Sequence, residues 1–240
     1  MTRSLLVRGM LCGVVAGILA FAFARLAGEP EVERAIAFET RLDQARGEAA
    51  EPETVSRKVQ RGLGLVTGVL VYGTAIGGLF GLAFAFAYGR LGTTHPQTLS
   101  AVLAGIGFVA IVLVPTLKYP ANPPSVGNPE TIGVRTGAFF LLILISVVAA
   151  VGVLQIRRSS VIRFGAWNSS LLAAGLFIVI MGTVCHLLPA IDEVPAGFPV
   201  TLMWRFRIAA LEIQAILWAT LGLLFGWLTE RDRNWKRLAS

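Results

Sequence analysis

Arg135-Thr-Gly-Ala-Phe-Phe-Leu-Leu-Ile-Leu-Ile-Ser-Val-Val-Ala-Ala-Val-Gly-Val-Leu-Gln-Ile156 decides how the rest of the chain is read. After Arg135 the run holds no charged residue. Crossing about 30 Å of hydrocarbon takes about 20 mostly apolar residues in a helix, and this run supplies them. Five more segments have the same character: Ser4–Ala27, Gly62–Tyr88, Thr98–Leu117, Trp167–Leu188 and Phe206–Thr229. The totals agree. Of 240 residues, 55% are hydrophobic and 15% charged, against about 25% charged in soluble domains. Mean hydropathy is +0.71. The expected fold is all-α: a polytopic integral membrane helical bundle of about six transmembrane helices, forming a single membrane domain over 1–240.

N-terminal to the opening run lies Pro115-Thr-Leu-Lys-Tyr-Pro-Ala-Asn-Pro-Pro-Ser-Val-Gly-Asn-Pro-Glu-Thr-Ile-Gly-Val-Arg135. Its prolines lack an N–H and fix φ, so no continuous helix or central strand can pass through it. Asn128-Pro129-Glu130 is expected to start the next helix, with Asn128 as N-cap, Pro129 at the first helical position and Glu130 in the first turn. The stretch is either a rigid connector or a structured surface that recognises a solute or partner.

At the chain start, Arg3 and Arg8 precede an apolar run from Gly9 to Ala24 that is long for a secretion signal, so the first segment is read as a retained span. Residues 28–61 differ from the rest. They carry Glu29, Glu31, Glu33, Glu39, Asp43, Glu48, Glu51 and Glu53 among six basic residues. Val32, Ala35, Ile36, Leu42 and Ala45 approximate a helical stripe, Glu31/Arg34 and Asp43/Arg46 are i,i+3 pairs, Gly47 is a helix stop, and Pro52 can start a second helix. The segment is expected to be an acid-rich amphipathic hairpin on the membrane surface, or else an acidic collector of cations. Gly9, Gly13 and Gly17 recur every fourth residue, as do Gly73, Gly77 and Gly81. That spacing puts them on one helix face and predicts close packing of the first two spans.

Lys and Arg divide almost evenly between the two sides of the membrane. Arg157, Arg158 and Arg163 in the expected connection 157–166, and Arg231, Arg233, Lys236 and Arg237 in the tail, place both termini in the cytoplasm. The net charge of +7 then reports topology and contact with anionic lipid, not nucleic acid, since aromatic and basic residues are not interleaved as in RNA binders.

Sequence motifs exclude much chemistry. The chain has no Gly-x4-Gly-Lys-Ser/Thr loop, no His-Glu-x-x-His and no Gly-x-Ser-x-Gly turn, so no enzymatic activity and no bound cofactor are expected. Cys12 and Cys185 are far apart and form neither a Cys-x-x-Cys pair nor a disulfide framework. What is left is polar material at the span ends. Glu212 lies in the sixth apolar segment, where an unpaired acid is costly. It either pairs with Arg205 or Arg207 or serves as an ion or proton ligand. Cys185-His186 closes the fifth segment, at the same outer level. Thiol, imidazole and carboxylate suit a first-row transition metal. Asp192, Glu193 and Asn122 are further candidate ligands on that face, with His95 as a weaker one on the other.

Lys118-Tyr-Pro-Ala-Asn-Pro-Pro-Ser-Val-Gly-Asn-Pro-Glu-Thr-Ile-Gly133 resembles the central signature of the CbtA family of cobalt transporter subunits. The Arg-led first span, the acid-rich first loop and His186-Leu-Leu-Pro189 are similar too. The resemblance implies a bacterial inner-membrane protein that carries cobalt or a related divalent cation as solute and is linked to cobalamin synthesis. It also implies a small single-span, histidine-rich, CbtB-like partner, and a homo-oligomer is compatible with it. This chain holds only two histidines, which fits such a division of labour. The family is often described with about five spans, one fewer than read here. The rival reading is a non-transporting membrane scaffold, or an accessory subunit of another envelope complex, that docks partners through its glycine faces and Pro-rich loop.

Overall fold

In a computed structural model, residues 2–47, 55–90, 95–124, 126–128, 130–195 and 197–238 are described, with side chains described to residue 232. The protein is all-α: 87% helical, with no strand among the described residues. Among the described residues, five helices are long and apolar enough to cross a membrane: α1 (Thr2–Arg46), α2 (Arg57–Ala87), α3 (Pro96–Lys118), α4 (Ile132–Leu187) and α5, apolar over Val200–Asp232 and helical to Leu238. They divide between two compact units. The first comprises 1–105, 122–126 and 195–240, and the second 106–121 and 127–194.

In the first unit the predicted glycine faces meet. A Cβ built on Gly9 would lie 2.1 Å from the carbonyl oxygen of Gly77, and one on Gly13 would lie 2.1 Å from that of Gly73. Only hydrogens fit between these backbones, so α1 and α2 pack main chain to main chain. Helix α5 runs antiparallel to α1: Arg8 donates to Thr229 Oγ1 and to Asp232 Oδ2, both at 3.0 Å. The start of α3 packs on α5, where the buried Ser100 hydroxyl donates to Gly222 O at 2.6 Å. Phe80, Phe84 and Phe225 fill the centre with edge-on ring contacts.

Helix α1 departs from expectation. It holds 45 residues, about 68 Å at 1.5 Å per residue, twice what the hydrocarbon requires. Residues 29–46 of the acid-rich segment therefore continue the helix of the first span through a π-type turn at Ala24–Gly28. Gly47, with φ 70°, ends it as expected. The start of α2 is tied back to this acidic arm. Glu29 accepts from Arg57, Glu33 accepts from Arg61 at 2.9 Å, and the second arm begins after Ser56. Pro52 lies outside the described residues.

The second unit is built around α4. A straight helix of its 56 residues would reach about 84 Å. Instead the chain reverses at Gly165, where φ is 76° and ψ 165°. Arg157 Nε donates to Ser170 Oγ at 2.8 Å, although a straight helix would hold them about 20 Å apart. Ala138 and Leu142 accordingly share a core with Phe177, Met181 and Val184. The expected spans Arg135–Ile156 and Trp167–Leu188 fall on the two arms of this hairpin. The expected connection 157–166 is helical on both sides of Gly165. The missing Cβ permits the left-handed φ there, and so the sharp return.

The helix start after the Pro-rich stretch is a second correction. Thr131, not Asn128, is the residue before the first turn of α4. Asn128 Oδ1 instead accepts from the Glu130 N–H at 2.9 Å, and its carbonyl accepts from Thr131. This is an Asx turn leading into the helix. Pro129 lies outside the described residues.

Candidate functional site

The Pro-rich signature contributes to both units. In the first, Pro123 is fully buried, and Val126 packs with Ala35, Phe198, Leu202 and Met203. Asn122 Oδ1 accepts from Arg207 Nη2 at 3.1 Å. In the second, the ring of Tyr119 is buried in the α4 core, and its hydroxyl donates to Pro189 O at 2.9 Å. Burial holds the phenol above its ordinary pKa, and neighbouring Cys185 acts in the same direction. The Lys118 ammonium lies 5.9 Å from the centre of the Tyr119 ring.

Around the start of α4 the carboxylate of Glu193, 4% exposed, accepts from Arg135 and from the Thr131 hydroxyl. A buried charge is tolerated only when it is paired and hydrogen-bonded. These two donors meet that need and tie the loop after α4 to the loop before it.

The candidate ligands therefore separate by environment. Glu193 and Asn122 are engaged by arginines. Cys185 is half-buried and joins the apolar cluster of the second unit. Asp192 is exposed, and its Oδ1 accepts from its own loop at Val194 N, 3.3 Å away. His186 is exposed at the end of α4, and Glu212 is exposed on α5. Neither expected arginine partner holds Glu212: Arg207 turns to Asn122, and no ion pair of Glu212 occurs among the described residues. His186 and Glu212 belong to different units. No group of three or more His, Cys, Asp or Glu side chains is placed to hold a metal ion among the described residues. His95 is exposed just before α3.

The acidic segment is less open than its composition suggests. Glu29 and Glu31 are each 8% exposed, and Glu29, Glu31 and Glu33 are taken by Arg57, Arg34 and Arg61. Glu48, Glu51 and Glu53 lie outside the described residues. Sequence reasoning missed the roles of Thr131, Arg135 and Tyr119. Arg135 lies 58 residues from Glu193, and no local pattern joins them.

Comparison with known proteins is informative at one level. No curated protein and no solved structure matches the chain. The model of a family described as probable cobalt transporter subunit (CbtA) matches residues 2–230. With nearly all of its 240 residues covered, and with the membrane-length helices that such a role requires, this chain belongs to the CbtA family.

Proposed function

We propose that the protein is the membrane subunit of an uptake system for cobalt or a related divalent transition-metal ion, and that a small single-span, histidine-rich subunit works with it. Membership of a transporter-subunit family supports the first part. The carrying observation for the site is Glu212: an acid on an apolar helix, exposed from the chain's own fold and without an ion pair among the described residues. In lipid such a carboxylate needs a wet path, a cation or a partner subunit. His186, exposed at the end of α4, and Asp192, exposed in the loop that follows, are further donors for such an ion. Co²⁺ accepts nitrogen and oxygen ligands, and few protein ligands suit a site that must release its ion. The two histidines of this chain leave room for a partner to supply more imidazoles. Glu193, Asn122 and Cys185 contribute ligands only after leaving their present contacts. The basic hairpin tip and tail support a cytoplasmic position for both termini.

The test is cobalt accumulation by cells that express the chain with its partner. His186→Ala combined with Glu212→Ala is expected to abolish accumulation while membrane levels of the protein stay unchanged. Undiminished accumulation overturns the site. If the unsubstituted pair gives no accumulation either, the scaffold reading replaces transport.

A further inference from the structure

The tip of the α4 hairpin carries chemistry that the transport reading does not use. Arg157, Arg158 and Arg163 cluster there, and the chain from Thr131 to Ile191 holds no Asp or Glu. None of the three arginines takes part in an ion pair among the described residues. Two of the guanidinium groups are held in place. Arg157 Nε donates to Ser170 Oγ at 2.8 Å, and that hydroxyl in turn donates to Ala166 O at 2.7 Å, which fixes the group across the hairpin. Arg163 lies 5.2 Å over the ring of Phe164. Beside them Ile162 is 97% exposed, Trp167 75% and Phe164 46%.

An aliphatic and two aromatic side chains turned outward beside unpaired arginines make a poor surface for water. They suit the boundary between headgroups and acyl chains, where Trp is enriched and arginine reaches for phosphate. The occupant must be anionic because the positive charge has no local counterpart. It must also offer hydrocarbon, because Ile162 and Trp167 do. We propose that the hairpin tip is a binding site for anionic phospholipid. In it Arg157, Arg158 and Arg163 take the headgroup phosphate through paired N–H donors, and Ile162, Phe164 and Trp167 lie against the acyl chains. The site anchors the second unit at the membrane face and does not depend on the transport reading.

The test uses the purified full chain, equilibrated with an equimolar mixture of phosphatidylglycerol and phosphatidylcholine, with retained lipids counted by native mass spectrometry. The wild type is expected to retain phosphatidylglycerol preferentially. The triple substitution Arg157→Gln, Arg158→Gln, Arg163→Gln is expected to lose that preference, by about fivefold per arginine removed. The triple Lys variant keeps the charge and loses the oriented donors, so it is expected to fall between the two. Ile162→Ala with Trp167→Ala, which leaves every charge in place, is expected to weaken retention several-fold and guards against misfolding of the Gln variant. An unchanged preference in the Gln variant overturns the site. A Lys variant equal to wild type reduces it to diffuse charge and overturns the proposed geometry. Displacement of the lipid by millimolar glycerol phosphate assigns the site to free phosphate and overturns the lipid assignment.

Discussion

The two units hold their helices together by opposite means. In the first, α1 and α2 meet through atoms every residue has, with the Gly9, Gly13, Gly73 and Gly77 backbones too close to admit a Cβ. In the second, the arms of α4 meet through side chains, with Leu142 and Met181 in the core and the Arg135–Glu193 pair closing the loops. A glycine seam needs no partner identity, only absence of bulk at a fixed spacing. A side-chain clamp needs particular residues to arrive together from far apart. The first kind of contact is unforgiving of any added atom. The second tolerates exchange of both partners together.

Gly77→Leu puts this contrast to its severest test. Its side chain begins 2.2 Å from Gly9 O, so α1 and α2 must part, and loss of folded protein is expected by size-exclusion chromatography in detergent. Gly175→Ala is the control, because nothing lies within 4 Å of a Cβ built there, and it is expected to be neutral. Folding of Gly77→Leu with unchanged thermal stability removes the seam from the account.

Arg135→Ala comes next. It leaves the Glu193 carboxylate, 4% exposed, with its charge uncompensated, at an expected cost of about 3–5 kcal/mol. Replacing both residues with apolar ones of similar volume is expected to recover most of that loss. A double variant as unstable as the single one means the pair is essential in a way the seam comparison does not capture.

Smaller effects separate the units more finely. Tyr119→Phe removes the donor to Pro189 O and is expected to cost about 1 kcal/mol in thermal or denaturant unfolding of the second unit. Arg61→Ala breaks a pair in the first unit whose side chains are 42% and 50% exposed, so a loss of at most about 1 kcal/mol, shrinking with added salt, is expected. A larger, salt-insensitive loss shows that the extended arm of α1 is held more tightly than its exposure implies.

The same distinction explains what could be read in the sequence. Hydrophobic runs and glycine spacing are local patterns, so the membrane-helix class and the α1–α2 seam are legible in the order of residues alone. Gly47 as a helix stop is legible for the same reason. The reversal of α4 is less so. Arg157 and Arg163 mark a polar break, but polar residues at a membrane face can sit in a helix as easily as in a loop, and only the φ of Gly165 decides which. The continuation of α1 beyond Ala27 escapes the sequence reading because a hydropathy boundary marks the edge of the lipid, and a helix need not stop there. At the candidate site, residue types are legible and pairings are not. Glu212 and Glu193 look alike as acids near span ends. Glu193 is held by two residues from the far side of a hairpin, whereas Glu212 is left exposed on α5. That difference belongs to tertiary structure.

Influx of labelled cobalt into sealed vesicles that contain this chain and its histidine-rich partner tests the central claim most directly. The account predicts influx that requires this chain and is lost in the His186→Ala, Glu212→Ala variant reconstituted at the same density. Influx that persists in the variant, or that the partner sustains without this chain, contradicts it.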